Sequence, residues 1–112
     1  MEQVIAYCER KPGATGEYPF GPEPLVMKVG GKMFALFGDD SISLKCNPII
    51  AQNLREQHEA VKPGYHLNKK HWNTVSLGSS LSEEELHAMI DHSYELVVAG
   101  LTKTMRAQLG AV

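Results

Sequence analysis

The clearest pattern in the chain is Ser41-Ile42-Ser43-Leu44-Lys45-Cys46, where polar and apolar side chains alternate strictly. A period of two marks a strand with one buried face: Ile42, Leu44 and Cys46 point inward, and Ser41, Ser43 and Lys45 point outward. Upstream, the runs 25–29 and 32–37 are β-prone and flank Gly30-Gly31. Both central residues of a type I′ turn need positive φ, so this pair reads as a hairpin. Gly38-Asp39-Asp40 makes the next turn. A two-residue turn pairs Val29 with Lys32, Met27 with Phe34 and Leu25 with Leu36. Lys28, Met33, Ala35 and Phe37 then lie on the opposite face. Both faces of the hairpin are apolar, so a second layer or a partner is expected to cover the far one, and a slip of one residue would exchange them.

Elsewhere the spacing becomes helical. Val4, Ile5 and Cys8 predict a short helix over residues 2–10, ended by Pro12-Gly13. A Pro/Gly-rich connection over residues 12–24 follows. Asn47-Pro48 places an Asx cap before a proline at the first helical position, opening a helix that runs to about residue 59. Lys62-Pro63-Gly64 closes it. Residues 65–67 read as a short strand, 68–71 as a turn, and 72–77 as a fifth strand. Ser82 and Glu85 then form a capping box, with Leu81 and Leu86 as its hydrophobic staple. Leu86, Met89 or Ile90, Ser93 or Tyr94, Val97, Leu101 and Met105 draw one stripe along a helix predicted over residues 83–108.

The order is α-β-β-β-α-β-β-α. Hairpins imply antiparallel pairing and single apolar stripes imply one covering layer, so the expected fold is a two-layer α+β domain with a five-stranded antiparallel sheet. At 112 residues the chain, read as residues 1–112, has room for one domain and one core. No apolar run approaches the roughly 18 residues that span a bilayer. Residues 1–7 are acidic, without the apolar core of a secretory leader. Cys8 and Cys46 are far apart and suit two free thiols in a reducing compartment, so the expected location is cytoplasmic.

Charge is unevenly distributed. Residues 1–27 carry two basic residues against four acidic ones, residues 28–75 seven against four, and residues 76–112 two against five. The basic middle could present a positive face to a polyanion. The run from Pro63 to Val75 concentrates the sole tryptophan, two histidines and Lys69-Lys70 between two strand patterns. It is either a chemical site or a polar connection anchored by Trp72.

Each candidate chemistry has an ordinary structural reading beside it. His66 and His71 are five apart, as are His87 and His92, whereas zinc pairs favour spacings that share one helix face. No metal site is expected, although His58, His66 and His71 are the residues that would form one. Cys46 lies beside Lys45 and just before a helix N-terminus, both of which would activate a thiol. Its strand alternation instead points it into the core. Ser93 and Tyr94 lack the surroundings of a catalytic serine. Asp39-Asp40 fits a turn. No catalytic constellation and no cofactor follow.

Several blocks in register resemble the MmcQ/YjbR family of small bacterial proteins. They are Pro12-Gly13-Ala14-Thr15, Tyr18-Pro19-Phe20-Gly21, Lys28 to Ala35, Leu44 to Pro48, Tyr65 to Trp72 and Asp91 to Val97. The resemblance covers essentially the whole chain. It implies a compact antiparallel α+β fold similar in topology to secretion-chaperone-like domains. It also implies a DNA-binding label drawn from a "double wing" fold analogy, and no functional residue is carried over with it. From the residues themselves, Lys28, Lys32, Lys45, Lys69 and Lys70 are the candidate phosphate contacts, with hairpin tips acting as wings. With arginine only at positions 10, 55 and 106, bidentate guanine reading is poorly provided for, so binding is expected to be weak and sequence-independent. Trp72 is expected to be a core anchor. The rival expectation is a protein-interaction or small-ligand module that self-associates as a homodimer through Met33, Ala35 and Phe37. A third is a pocket lined by Lys45, Lys70 and Trp72.

Overall fold

A computed structural model describes residues 1–78 and 80–110. Its elements run α1 (Glu2–Glu9), β1 (Ala14–Glu17), β2 (Val26–Val29), β3 (Lys32–Phe37), β4 (Ser41–Lys45), α2 (Pro48–Gln57), β5 (Val61–Pro63), β6 (Trp72–Ser76), α3 (Glu83–Ala99) and α4 (Lys103–Gly110). The strands form one six-stranded antiparallel sheet in the order β1-β2-β3-β4-β6-β5. The α+β class and the antiparallel sheet agree with the sequence, while the strand count is one higher. The added strand is β1, an edge strand hidden in a Pro/Gly-rich stretch. The strand expected at residues 65–67 lies instead at Val61–Pro63, where Val61 reaches the core.

Locally coded features form as read. Gly30 and Gly31 have φ of 58° and 80°, the values of a type I′ turn. Asn47 Oδ1 accepts from the backbone N–H of Ile49 at 2.9 Å and of Ile50 at 3.3 Å, capping α2. Ser82 and Glu85 complete the capping box of α3. The helix predicted over residues 83–108 is two helices. α3 stops at Gly100, Leu101 turns into the core at 5% exposure, and the hydroxyl of Thr102 accepts from the Met105 N–H to start α4.

The hairpin register differs from the simple expectation. Val29 pairs with Lys32 as read, but the register shifts by one, so Met27 pairs with Ala35 and Val26 with Leu36. Phe34 is the residue left over, a β-bulge. It points with Ala35 toward the helices, where its ring meets Tyr94 of α3 edge-on at 5.4 Å. Ala35 and Phe37 therefore sit in the core at 0% and 5% exposure. The self-association surface expected from Met33, Ala35 and Phe37 is broken up by this bulge.

The bulge end also explains a buried polar residue. In continued register Phe34 would face Lys45, yet the β3–β4 pairing stops at Ala35 and Leu44. The Ser93 hydroxyl enters the gap, donating to the Phe34 carbonyl at 2.6 Å and accepting from the Lys45 N–H at 2.9 Å. Ser93 is fully buried, and it replaces one missing rung of the ladder.

Side chains that are direct partners share a face of the sheet. Met27, Ala35, Phe37, Ile42, Leu44, Asn73, Val75 and Val61 face α2 and α3. Asn73 docks α2 by accepting from Arg55 Nε at 2.6 Å and donating to the Ala51 carbonyl at 3.4 Å. The α1 helix is held against α3 by Asp91, which accepts from Tyr7 Oη at 2.7 Å and pairs with Lys11. Tyr7 stacks on His87 with ring centroids 3.7 Å apart. Among the described residues, no helix is long and apolar enough to cross a membrane.

Candidate functional site

The helices pack on one side of the sheet; on the other, its open face, Val26 and Ser43 are buried and Leu36, Lys45, Trp72 and Thr74 are half-buried. Its positions follow from alternation and register: Lys28 with Met33, Leu36 with Ser43, Ser43 with Thr74, Thr74 with Lys62, and Lys45 with Trp72. The Ser43 and Thr74 hydroxyls lie 2.7 Å apart. Lys62 and Lys45 therefore flank a short row of hydroxyls, with Lys28 two strands away.

The segment from Gly64 to His71 lies over the edge of this face. The Gly64 N–H donates to the Trp72 carbonyl at 2.8 Å, and the Tyr65 N–H donates to Thr74 Oγ1 at 2.9 Å. Lys69 Nζ reaches back to the Gly64 carbonyl at 2.9 Å. Asn68 Oδ1 accepts from the Lys70 and His71 N–H groups. Arg55 ties the segment to α2 by donating to the carbonyls of Lys69 and Trp72. The result is a tightly bonded connection that carries Tyr65 outward at 69% exposure. His66 has φ of 57°, a left-handed conformation uncommon outside glycine, and its ring lies 4.0 Å from that of Tyr65. A groove of about 600 Å³ runs beneath, lined by Leu36, Ser43, Lys62, Tyr65, His66 and Thr74.

The candidate lysines do not form one set. Lys28 and Lys45 are on the open face, but Lys28 is paired with Glu17 at 2.8 Å. Lys69 and Lys70 sit in the connection at its edge. Lys32 is the exception: its partner Val29 is a core residue, so the exposed Lys32 lies at the hairpin turn on the helix side. Trp72 is half-buried and pairs with Lys45 on the open face, outside the core cluster that the sequence suggested. Asn73 and Val75 take the inward positions of β6, which forces Trp72 the other way. Sequence reasoning singles out the run that holds Tyr65, His66 and Thr74, but misses that these residues meet Lys62 around one groove. It makes residues 65–67 a strand, and the β6–β5 pairing that exposes Lys62 and Thr74 on one face carries no local signal.

A second concavity of about 260 Å³ lies between β4, α2 and α3. Leu44, Leu54, Val75 and Met89 give it an apolar floor, and Cys46, His58, Glu85 and His92 line it as well. His58 Nε2 meets Glu85 Oε2 at 3.2 Å, and His92 Nε2 accepts from the Asn47 N–H at 3.2 Å. Burial pushes the Cys46 thiol pKa up, with the Arg55 charge opposing only in part, so the thiol is protonated and inward as its alternation implied. Lys45 borders this cavity, but Lys70 and Trp72 do not; Trp72 instead pairs with Lys45 across β4 and β6. Among the described residues, no three His, Cys, Asp or Glu side chains cluster as metal ligands.

Comparison with known proteins bears directly on this architecture. The YjbR family model matches residues 9–96. The "Uncharacterized protein YjbR" of Escherichia coli K12 is 34% identical over 113 residues, covering 97% of this chain and 96% of the relative. The "Uncharacterized protein YbdF" of Escherichia coli O157:H7 is 44% identical over 90 residues, covering 77% and 74%. The crystal structure of a Deinococcus radiodurans protein with the domain DUF419 superposes with a TM-score of 0.89 at 39% identity, covering 97% of this chain and 86% of that one. Two independent kinds of likeness thus span the segments that build both the open face and the cavity, and the chain belongs to the YjbR family.

Proposed function

We propose that this protein binds DNA weakly and without sequence preference, through phosphate contacts made by lysines on and beside the open face of its sheet. The observation that carries this reading is charge segregation across the sheet. Lys45 and Lys62 lie on the open face with Lys69 and Lys70 at its edge, and the acidic Glu17 of that face is paired with Lys28. Glu83, Glu84, Glu85, Asp91 and Glu95 all belong to α3 on the other side, where Lys32 and Arg55 are the basic residues nearest the sheet. A flat basic surface neutralises phosphates without reading bases. The double-wing analogy would put the contacts at hairpin tips. The position of Lys32 on the helix side favours the sheet face instead. The reading is non-catalytic, in keeping with the protonated Cys46 thiol.

Titration of a labelled random duplex at two salt concentrations tests it. Binding should weaken as salt rises. Replacing Lys45 and Lys62 together by alanine should weaken it further and flatten the salt slope by about one unit for each phosphate left without its lysine. No binding at low salt would end the proposal. The alternative is a small-ligand module, which the apolar cavity beneath α2 supports. Protection of Cys46 from thiol reagents by a small apolar compound would favour that reading.

A further inference from the structure

Beyond lysines, the open face carries a set of aromatic side chains that duplex contact does not use. Tyr65 is 69% exposed at the rim of the groove, although a tyrosine ring contributes most when it is covered. Its backbone is fixed by the bond to Thr74 Oγ1, and the neighbouring His66 is held in a left-handed conformation with its ring against that of Tyr65. A residue kept in such a conformation by its surroundings is a recurrent mark of a functional site. Trp72 adds a third ring, half-buried beside Lys45 on the same face.

The bases of a duplex are already stacked on one another and offer no free faces to such rings. Unpaired bases offer both faces, and an aromatic platform beside a lysine-lined track is the chemistry that binds them. The spacing on the sheet fits that pattern. Lys62 and Lys45 flank the Ser43–Thr74 hydroxyl pair, so phosphates and bases have separate partners on adjacent strands. Charge also sets an end to the track. Beyond Pro24 and Phe37, which border both the groove and the next hollow, stand Glu23 and Asp39, which repel phosphate.

From this arrangement we infer that the preferred ligand of the open face is single-stranded nucleic acid, its bases stacking on Tyr65 and His66 and its backbone following Lys62 and Lys45. The inference rests on the nucleic-acid reading above and names the form of the ligand.

Fluorescence anisotropy at low salt, with a labelled oligothymidine strand and a duplex of the same length, separates the two. The single strand should bind about tenfold more tightly, as one or two stacked bases would give. Tyr65→Ala should remove most of that preference and leave duplex binding within about twofold, while Tyr65→Phe should retain it. Trp72, the only tryptophan, should be quenched by the oligothymidine strand in the unmodified protein. A duplex that binds as tightly as the single strand, or a Tyr65→Ala variant weakened equally toward both, overturns the single-strand inference while the duplex reading survives. Absence of binding to either form removes both.

Discussion

Replacing Ser93 by alanine removes the hydroxyl that stands in for a rung of the β3–β4 ladder. The side chain is at 0% exposure, so water does not reach the site to take its place. Two backbone groups lose their partner at once: the Phe34 carbonyl, which accepts at 2.6 Å, and the Lys45 N–H, which donates at 2.9 Å. An unsatisfied buried polar group costs about 1–3 kcal/mol, and the better helix propensity of alanine returns about 0.5 kcal/mol. The net loss is therefore about 2–5 kcal/mol, a large share of the stability of a domain this size. Urea unfolding followed by far-UV circular dichroism measures it, and a thermal midpoint lower by about 8–20 °C should accompany it. Ser93→Thr keeps the hydroxyl and should lose distinctly less than the alanine variant. A loss below about 1 kcal/mol for Ser93→Ala, or equal losses for both variants, would refute the claim that the hydroxyl completes the ladder.

Three further outcomes follow from the same structure. Burial raises the Asp91 pKa, but hydrogen bonds from Lys11 and Tyr7 and the charge of Lys11 outweigh it and leave the carboxyl below its ordinary value. Its contribution is thus complete above the unfolded carboxylate range and lost as pH falls through the lower folded value, so Asp91→Asn should lower stability by about 1 kcal/mol at neutral pH and flatten the acid limb of a stability-versus-pH curve; an unchanged acid limb would count against it. Burial pushes the Cys8 thiol up to about 12 and raises that of Cys46, so a thiol reagent at pH 8 should modify both far more slowly in the native protein than in urea, and equal rates would contradict their inward placement. Gly30→Ala meets both a φ of 58° and a Leu101 methyl 2.7 Å from the new carbon, so a loss of about 1–3 kcal/mol is expected in urea, while Gly31→Ala, with open space around it, should lose only the strain of its φ; equal losses would count against the clash.

What was legible in the sequence is what a few neighbouring residues decide among themselves. Asn47-Pro48, the Ser82–Glu85 box and Gly30-Gly31 each specify a cap or a turn within four residues, and each forms as read. The break between α3 and α4 was also local, since Gly100 and Thr102 are a stop and a cap, but the apolar stripe through Leu101 and Met105 masked it. Leu101 stays in the stripe because it turns into the core between the two helices. The edge strands were harder. β1 is four residues long and only its first, Ala14, is even half-buried, so it has no alternation to detect, and β5 is three residues ending in Pro63.

The candidate site was less legible than the fold because a face of a sheet is a matter of parity, and parity is not local. One bulged residue, Phe34, reverses the assignment of the hairpin's two faces, carrying Ala35 and Phe37 from a supposed partner surface into the core. The basic residues of the middle third were plain from composition, but which of them stand together depends on β4 pairing with β6 and β6 with β5, a non-sequential order. That order sets Lys45 against Trp72 and Lys62 against Thr74, residues 27 and 12 positions apart in the chain. Lys32 and the hairpin tip drop out, while Lys62 and Tyr65 enter. A reading built on wing tips becomes one built on a flat face, whose exposed ring at Tyr65 is a feature that phosphate contacts alone do not explain.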